Sequence, residues 1–282
     1  MPTPAGPSGS SVRVSSIPAL LDALDNNDIS DIVVANGTYR VSPAGLQKAD
    51  SLWIDDRFLD RTNPVTVRAE TRGGVTFDGG GTSSFGALTF VAGAHHQTWD
   101  GFTFANGAAT DTGVVAFGGY DGLAAPHHIT LRHLTFLGSC RGRATTASGN
   151  TTDHAIYFSQ SVGGVHDVVL EDITVDGSGY LASAVHFFHS DSANPNAWNV
   201  TVRRLTVNKT QQAIILWDRT VHDVTIDGAT ITNALSVGVR YEGPGEDVAL
   251  RNITTTGSGN YGFYSSLGSS PPGVTFFSNL FN

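Results

Sequence analysis

The amino-acid sequence predicts an all-β fold: a single-stranded right-handed parallel β-helix, or β-solenoid, with a short N-terminal capping helix. Val/Ile/Thr-rich strands separated by Gly, Asp and Asn turns recur along the chain. The first inward residues of one strand in each coil, from Ile156 to Phe263, lie about 24–29 residues apart, a spacing typical of solenoids. Apolar and polar residues alternate with period two along these strands, and no helical period interrupts them. The right hand follows from the chirality of L-residues. The repeat is clearest in residues 127–138, 165–179, 197–210, 221–234 and 246–259.

Two other solenoid-like architectures are excluded by the same pattern. Helical repeats need an apolar period of 3.6 residues, which the repeats lack. Propeller blades need four antiparallel strands joined by tight hairpins, and the Gly-containing turns are too widely spaced for that. A parallel β-helix remains, with about 4.8 Å between successive coils.

Composition favours one elongated domain and narrows the set of partners. The chain has 282 residues without a Pro/Ser-rich internal linker, so residues 12–282 are predicted to form one β-helix domain and residues 1–11 a disordered leader or tag-like segment. Its 16 basic and 25 acidic residues give a net charge of −9, which argues against nucleic acid. Cys140 is the single cysteine, which excludes an intrachain disulfide and a cysteine-based zinc site. No apolar run approaches the ~18 residues of a membrane span, and the oligomeric state stays open.

The N-terminal cap is predicted from helix signals. Ser15 or Ser16 can act as N-cap and Pro18 suits the first turn. Asn26 and Asn27 end the element. The apolar stripe that would cover the first coil consists of Ile17, Leu20, Leu21 and Leu24.

A third strand in each coil is expected to stack with its equivalents, and we call the result the third sheet. Period-two alternation places its inward residues in the core: Ile156, Phe158, Val185, Phe187, Ile214, Leu216, Val239 and Tyr241. The first outward column is then Val115, Tyr157, His186, Ile215, Arg240 and Tyr264. The second is Phe117, Ser159, Phe188, Trp217, Glu242 and Ser266.

The N-terminal third resembles a known superfamily. A capping helix, a strand ending in Asn-Gly-Thr-Tyr (36–39) and the segment NPVTVRAETRGGVTFDG (63–79) resemble the opening of pectate-lyase-like β-helix proteins, most closely the alginate lyase and chondroitinase B branch. The resemblance implies a secreted enzyme that cleaves or epimerises an acidic polysaccharide. The Lys-plus-Arg pair of that branch and the calcium cluster of pectate lyases have no matching positions here, so site residues are taken from the predicted columns.

β-Elimination from a uronic acid needs a cation on the carboxylate, a base for the C5 proton and an acid for the leaving oxygen. Arg240 suits the first role, with Arg219 in reserve. His186 and Tyr157 suit the other two. Pyranose rings stack on aromatic faces, so the predicted sugar platforms are Trp217, Phe188 and Tyr264. The leading interpretation is therefore a polysaccharide lyase.

Other chemistries stay open. His189 and Asp218 fall at equivalent positions of adjacent coils near Glu242 and Asp191, and a carboxylate pair would serve a glycoside hydrolase. The same group could bind Ca²⁺ through its carboxylates, although no cofactor is otherwise expected. A uronate epimerase and a non-catalytic carbohydrate-binding solenoid are the remaining alternatives. The loop 139–154 is expected to wall the groove with Arg143, Asp153 and His154. The histidines at 127, 128, 166 and 222 recur before strands and are interpreted as structural.

Overall fold

The computed structural model confirms the all-β parallel β-helix. It describes residues 9–41, 52–54, 61, 63–80, 88–91, 93–107, 113–118, 124–137, 154–158, 164–178, 181–188, 197–217, 221–243, 245–268 and 273–282. Within these ranges the strands form a 16-stranded and an 8-stranded sheet, and the one described helix lies between the first and second strands in chain order. Within the described ranges, no helix is long and apolar enough to cross a membrane.

The 16-stranded sheet bends into two faces. Its first face consists of β1 (Ser10–Val14), β2 (Ile29–Val34), β5 (Val65–Ala69), β8 (His95–Asp100), β11 (His127–Arg132), β14 (Val165–Asp176), β16 (Ala197–Asn208), β18 (His222–Thr232), β20 (Glu246–Arg251) and β23 (Val274–Phe277). Its second face consists of β3 (Gly37–Arg40), β6 (Val75–Asp78), β9 (Phe102–Ala105), β12 (Thr135–Leu137), β21 (Thr254–Thr256), β24 (Leu280–Phe281) and the second halves of β14, β16 and β18.

The corner between these faces explains why three predicted strand pairs are continuous strands. β14, β16 and β18 run through it, and each turns at one residue with positive φ: Asp172 at 54°, Arg204 at 52° and Gly228 at 77°. A single left-handed residue changes the chain direction without ending the ladder of hydrogen bonds. The sequence pattern of two short strands with a turn between them therefore describes one bent strand.

The predicted third sheet is the 8-stranded sheet. It consists of β4 (Leu52–Ile54), β7 (Leu88–Phe90), β10 (Gly113–Phe117), β13 (His154–Phe158), β15 (Ser183–Phe187), β17 (Gln212–Leu216), β19 (Val237–Tyr241) and β22 (Tyr261–Ser265), each pairing in parallel with its neighbours. All eight side chains predicted to point inward are at most 1% exposed. On the inner surface, phenylalanine rings stack from coil to coil, with centroids 5.2 Å apart for Phe90–Phe117, 4.8 Å for Phe117–Phe158 and 4.5 Å for Phe158–Phe187.

The N-terminal cap is confirmed as α1 (Ile17–Asp25). Ser16 is its N-cap and accepts a hydrogen bond from the Ala19 amide, and Asn26 is its C-cap. Its buried residues are Ile17, Leu20, Ala23 and Leu24, and Leu21 of the predicted stripe is partly buried and packs against the core. Strand β1 begins at Ser10 and pairs with β2, so two residues of the predicted leader, Ser10 and Ser11, belong to the β-helix.

A buried arginine completes this end of the molecule. Arg61 is 3% exposed, and its guanidinium donates hydrogen bonds to the carbonyls of Leu24, Asn26 and Ile29 at 2.7–3.1 Å. Carbonyls at a helix C-terminus lack partners within the helix, so a cation placed there satisfies them and favours the helix dipole. Burial lowers the pKa of Arg61 from its ordinary value.

Candidate functional site

The candidate site lies on the outer face of the third sheet, where side chains opposite the phenylalanine stack form a column. Strand register aligns Tyr157 with His186, His186 with Ile215, Ile215 with Arg240 and Arg240 with Tyr264. Tyr157 lies between the core residues Ile156 and Phe158, and His186 between Val185 and Phe187, so both side chains point away from the core although they are only 6% and 5% exposed. The predicted column is therefore correct over these five strands.

The column is wrong in one coil. Gly113 pairs with His154, so Val115 aligns with the inward Ile156, and Phe117 aligns with the inward Phe158. Both are fully buried, and Ala116 takes the outward position beside Tyr157. Placing Val115 beside Tyr157 amounts to aligning Gly113 with Ala155, each of which begins a short apolar run in the sequence. That shift of one residue exchanges the two sides of the strand.

Two imidazoles and a hydroxyl form a hydrogen-bonded row on this face. His186 Nδ1 lies 2.9 Å from His154 Nε2, and His154 Nδ1 lies 2.8 Å from Ser183 Oγ. His154 is 6% exposed and Ser183 is fully buried. The remaining ring nitrogen, His186 Nε2, is buried and has no hydrogen-bond partner among the residues that the structure describes.

Burial determines the protonation of both imidazoles. Burial first, and then the positive charge of Arg240, together lower the pKa of His186 from 6.5 to about 3. Burial, and then the neighbouring His186, holds the pKa of His154 well below its ordinary value. Both rings are therefore neutral at physiological pH, and each has one nitrogen that donates and one that accepts.

Aromatic rings surround the imidazole of His186. The Tyr157 ring lies 5.3 Å away at 63°, and the Phe188 ring 5.9 Å away at 75°. The Trp217 indole lies nearly parallel to it at 6.3 Å, and 38% of this side chain is exposed. The predicted sugar platforms Phe188 and Trp217 are therefore next to the predicted base.

Arg240 is held by three neighbours. Its Nη2 donates to Glu242 Oε1 at 2.7 Å, its Nη1 is 3.5 Å from Gln212 Oε1, and its guanidinium carbon lies 5.4 Å from the Trp217 ring centroid. The side chain is 28% exposed, and its buried Nε has no hydrogen-bond partner among the described residues. An ion pair with Glu242 and a cation–π contact thus fix the fork in front of the indole.

The structure brings together most of the predicted site residues that it describes. Tyr157, His186, Phe188, Trp217 and His154 form one ring cluster, and Arg240 with Glu242 adjoins it through Trp217. Tyr264 pairs with Arg240 in register, but the ring contact described for it is with Tyr261, at 5.6 Å. The predicted residues outside the described ranges are Arg143, Asp153, Ser159, His189, Asp191, Asp218 and Arg219.

Two polar residues of the site were not predicted. Ser183 and Gln212 occupy the first position of β15 and β17, as His154 does in β13. The signal was available, because a polar residue directly precedes the small Ala155, Ala184 and Ala213 in three successive coils. The predicted columns begin after these alanines and so do not include this polar position.

The outer face of the third sheet has too few carboxylates among its described residues to form a calcium cluster like that of pectate lyases. Glu242 is the one carboxylate on the described third-sheet strands and the residues directly after them, and it is ion-paired with Arg240. The other polar groups beside it are imidazoles, which calcium binds poorly. The described part of this face therefore does not fit a calcium site.

Solved structures show which fold this is. No protein-family model and no curated protein sequence matches the chain. A pectate lyase variant from Xanthomonas campestris superimposes with a TM-score of 0.59 at 16% identity, covering 99% of this chain and 85% of that one. The chain has the pectate-lyase-like parallel β-helix fold.

Two further structures share this fold. Pectate lyase II from Xanthomonas campestris pv. campestris gives a TM-score of 0.51 at 15% identity, covering 98% of this chain and 84% of that one. A mannuronic-acid-specific family 6 polysaccharide lyase from human gut microbiota gives 0.50 at 12% identity, covering 88% of this chain and 60% of that one. Identity this low carries the fold and leaves the activity to the site itself.

Proposed function

We propose that the chain is a polysaccharide lyase that binds a uronic-acid-containing polysaccharide along the third sheet and cleaves it by β-elimination. The observation that carries the proposal is His186 Nε2, a buried ring nitrogen without a protein hydrogen-bond partner among the described residues. It lies in one column with Tyr157 and Arg240, and beside exposed aromatic surface. The fold that this chain shares with two pectate lyases and a mannuronic-acid-specific lyase is consistent with this substrate class.

The reaction needs three groups of this chain. His186 Nε2 takes the C5 proton, and the C5–H electron pair becomes the C4–C5 double bond. The C4–O4 bond breaks, and Tyr157 donates its hydroxyl proton to the departing oxygen. Arg240 binds the uronate carboxylate, which carries charge as the proton leaves.

The hydrogen-bonded row sets His186 in the form that a base requires. When His154 Nδ1 donates to Ser183 Oγ, His154 Nε2 accepts from His186 Nδ1, and Nε2 of His186 carries the free lone pair. A proton taken up by Nε2 then places its charge on an imidazolium that His154 stabilises through the same hydrogen bond. A pKa of about 3 makes this base always available near neutrality, but intrinsically weak.

Substrate must displace side chains to reach this nitrogen. Nε2 is buried, so a sugar C–H bond reaches it only after neighbouring groups move. Trp217 borders the imidazole and is the most exposed ring of the cluster. Stacking of a pyranose on its indole would place the sugar between Arg240 and His186, which are two coils or roughly 10 Å apart.

Arg240 exchanges partners in this proposal. Its Nη2 is bound to Glu242, whereas the contact of Nη1 with Gln212 is long at 3.5 Å. A uronate carboxylate can therefore replace Gln212 as the partner of Nη1 while Nη2 stays bound to Glu242, because a planar guanidinium can hold two carboxylates at once. Glu242 then orients the guanidinium.

Incubation of the purified chain with a panel of polyuronates tests the proposal. We expect ultraviolet absorbance from the C4–C5 double bond, and mass spectrometry should find unsaturated oligosaccharide ends. New reducing ends without unsaturation would show a hydrolase, and C5 inversion without chain cleavage would show an epimerase. Binding without turnover would show a carbohydrate-binding solenoid. Because such polymers are extracellular, the proposal also predicts that the protein is secreted.

A further inference from the structure

We propose that a second site, on the first face, binds a divalent transition-metal ion such as Zn²⁺ between His128, His166 and Asp167. Ligand atoms of these three side chains all lie within 4.8 Å of one another. His128 Nδ1 is 3.6 Å from Asp167 Oδ2, and His166 Nδ1 is 2.7 Å from the same oxygen. The group belongs to adjacent strands β11 and β14 and takes no part in the lyase proposal.

Backbone conformation creates the cluster. His127 pairs with His166 in register, and the next residue of each strand, His128 or Asp167, has φ near +53°. A left-handed residue interrupts the alternation of the strand, so two consecutive side chains of each coil stay on the solvent side. Stacking of the coils then brings four polar side chains together at one edge.

The distances suit zinc. Tetrahedral zinc with bonds of about 2.0–2.1 Å holds its ligand atoms roughly 3.4 Å apart, so the observed separations need only small rotamer adjustments. His128 Nδ1 would exchange its 2.8 Å hydrogen bond with His127 Nδ1 for the metal. Exposure of His128 leaves the fourth position open to water. Two imidazoles and one carboxylate favour Zn²⁺ over Ca²⁺ or Mg²⁺.

A neighbouring amide orients the carboxylate. Asn199 Nδ2 donates a short hydrogen bond to Asp167 Oδ1 from the next coil. This leaves Oδ2 directed at the two histidines. Groups that hydrogen-bond a metal ligand fix its orientation and raise its affinity.

The repeat supplies its own control. His222 Nδ1 lies 2.8 Å from Asp223 Oδ2, which reproduces the His166–Asp167 pair two coils further on. The coil before it, however, carries Trp198 and Asn199 where His127 and His128 stand before the first pair. Among the described residues, His128, His166 and Asp167 are the one group of three His, Cys, Asp or Glu side chains whose ligand atoms all lie within 4.8 Å of one another.

Isothermal titration of chelator-treated protein with ZnCl₂ tests the site. We compare the wild-type chain with His128→Asn, Asp167→Asn and the control Asp223→Asn. Asn tolerates positive φ, and His128→Asn introduces the residue type that the repeat already carries at 199. We expect one Zn²⁺ per wild-type chain, about 100-fold weaker binding or more in the first two variants, and unchanged binding in the control.

Equal losses in Asp167→Asn and Asp223→Asn would overturn the proposal, as would saturable binding that survives His128→Asn. Absence of saturable Zn²⁺ binding in the wild type would also overturn it. Melting curves of metal-free protein check that the variants fold alike. Added Zn²⁺ should raise the Tm of the wild type and the control only, because an ion that joins two coils binds the folded chain alone.

Discussion

The same residue type has opposite environments on two faces of this β-helix. On the third sheet, His154 and His186 are buried and hydrogen-bond to each other, and His154 also hydrogen-bonds to Ser183. On the first face, partly exposed imidazoles stack from coil to coil, and the ring centroids of His127 and His166 are 5.0 Å apart. His166 and His222 are each hydrogen-bonded to the aspartate that follows them in the sequence. Both rows follow from the coil spacing, so the coil repeat itself does not distinguish them.

The neighbours distinguish them. Burial and the cation of Arg240 lower the pKa of His186 to about 3, and no carboxylate among the described residues adjoins it. On the first face, a hydrogen bond from His166 lowers the pKa of Asp167, so that carboxylate stays ionised beside its imidazoles. The neutral hydrogen-bonded row of the third sheet can accept a proton from a substrate, whereas imidazoles beside an ionised carboxylate can bind a metal cation.

Replacement of Tyr157, the proposed acid on the third sheet, should lower turnover more than the substitutions of Arg240 and Trp217 that follow. Tyr157→Phe removes one hydroxyl from the third-sheet cluster and keeps the ring contacts. We expect kcat to fall about 10²–10⁴-fold, since a positioned acid or base contributes that much. Circular dichroism checks the fold. Turnover close to that of the wild type would remove Tyr157 from the mechanism.

The guanidinium fork should matter beyond its charge. Arg240→Lys keeps a cation in front of Trp217 but loses the planar pair of donors. We expect kcat/KM to fall about 100-fold, comparable with losing one donor to a charged transition state. Steady-state kinetics on a polyuronate measure this. A Lys variant as active as the wild type would show that a point charge suffices.

Acid should destabilise the fold through the buried pair. Both imidazoles have folded-state pKa values below 6.5, so the unfolded chain binds more protons as pH falls from about 6.5 toward 3. The free energy of unfolding should therefore decrease by about 1.4 kcal/mol per pH unit for each group that titrates.

Urea unfolding at several pH values in this window measures the slope. His186→Phe removes one of the two groups, so its slope should be shallower than that of the wild type. Identical slopes would mean that His186 is not the buried neutral group described here.

The smallest effect concerns the sugar platform. Trp217→Ala removes the exposed indole, and we expect KM to rise about 5-fold with a smaller change in kcat, since a stacking or cation–π contact contributes roughly 1 kcal/mol. Trp198→Ala, in the first-face row between His166 and His222, is the matched control and should leave KM unchanged. Equal effects would place the polysaccharide elsewhere.

The sequence predicted the fold, the cap and the outward column at Tyr157, His186 and Arg240, because periodicity two and coil stacking are local rules. The prediction of outward side chains was wrong at Val115 and Phe117. Gly113 and Ala155 look equivalent in the sequence, and aligning them shifts the register of this strand by one residue. Sequence spacing also does not show that His128 and Asp167 share one edge of the first face. That fact depends on positive φ at both residues.

The most direct test of the lyase account compares one histidine from each face. Initial rates of double-bond formation on a polyuronate are measured for the wild type, His186→Ala and His222→Ala, with circular dichroism of each. The account predicts a fall of about 10²–10⁴-fold for His186→Ala and the wild-type rate for His222→Ala. Full activity in a folded His186→Ala variant, or equal losses in both, would contradict it.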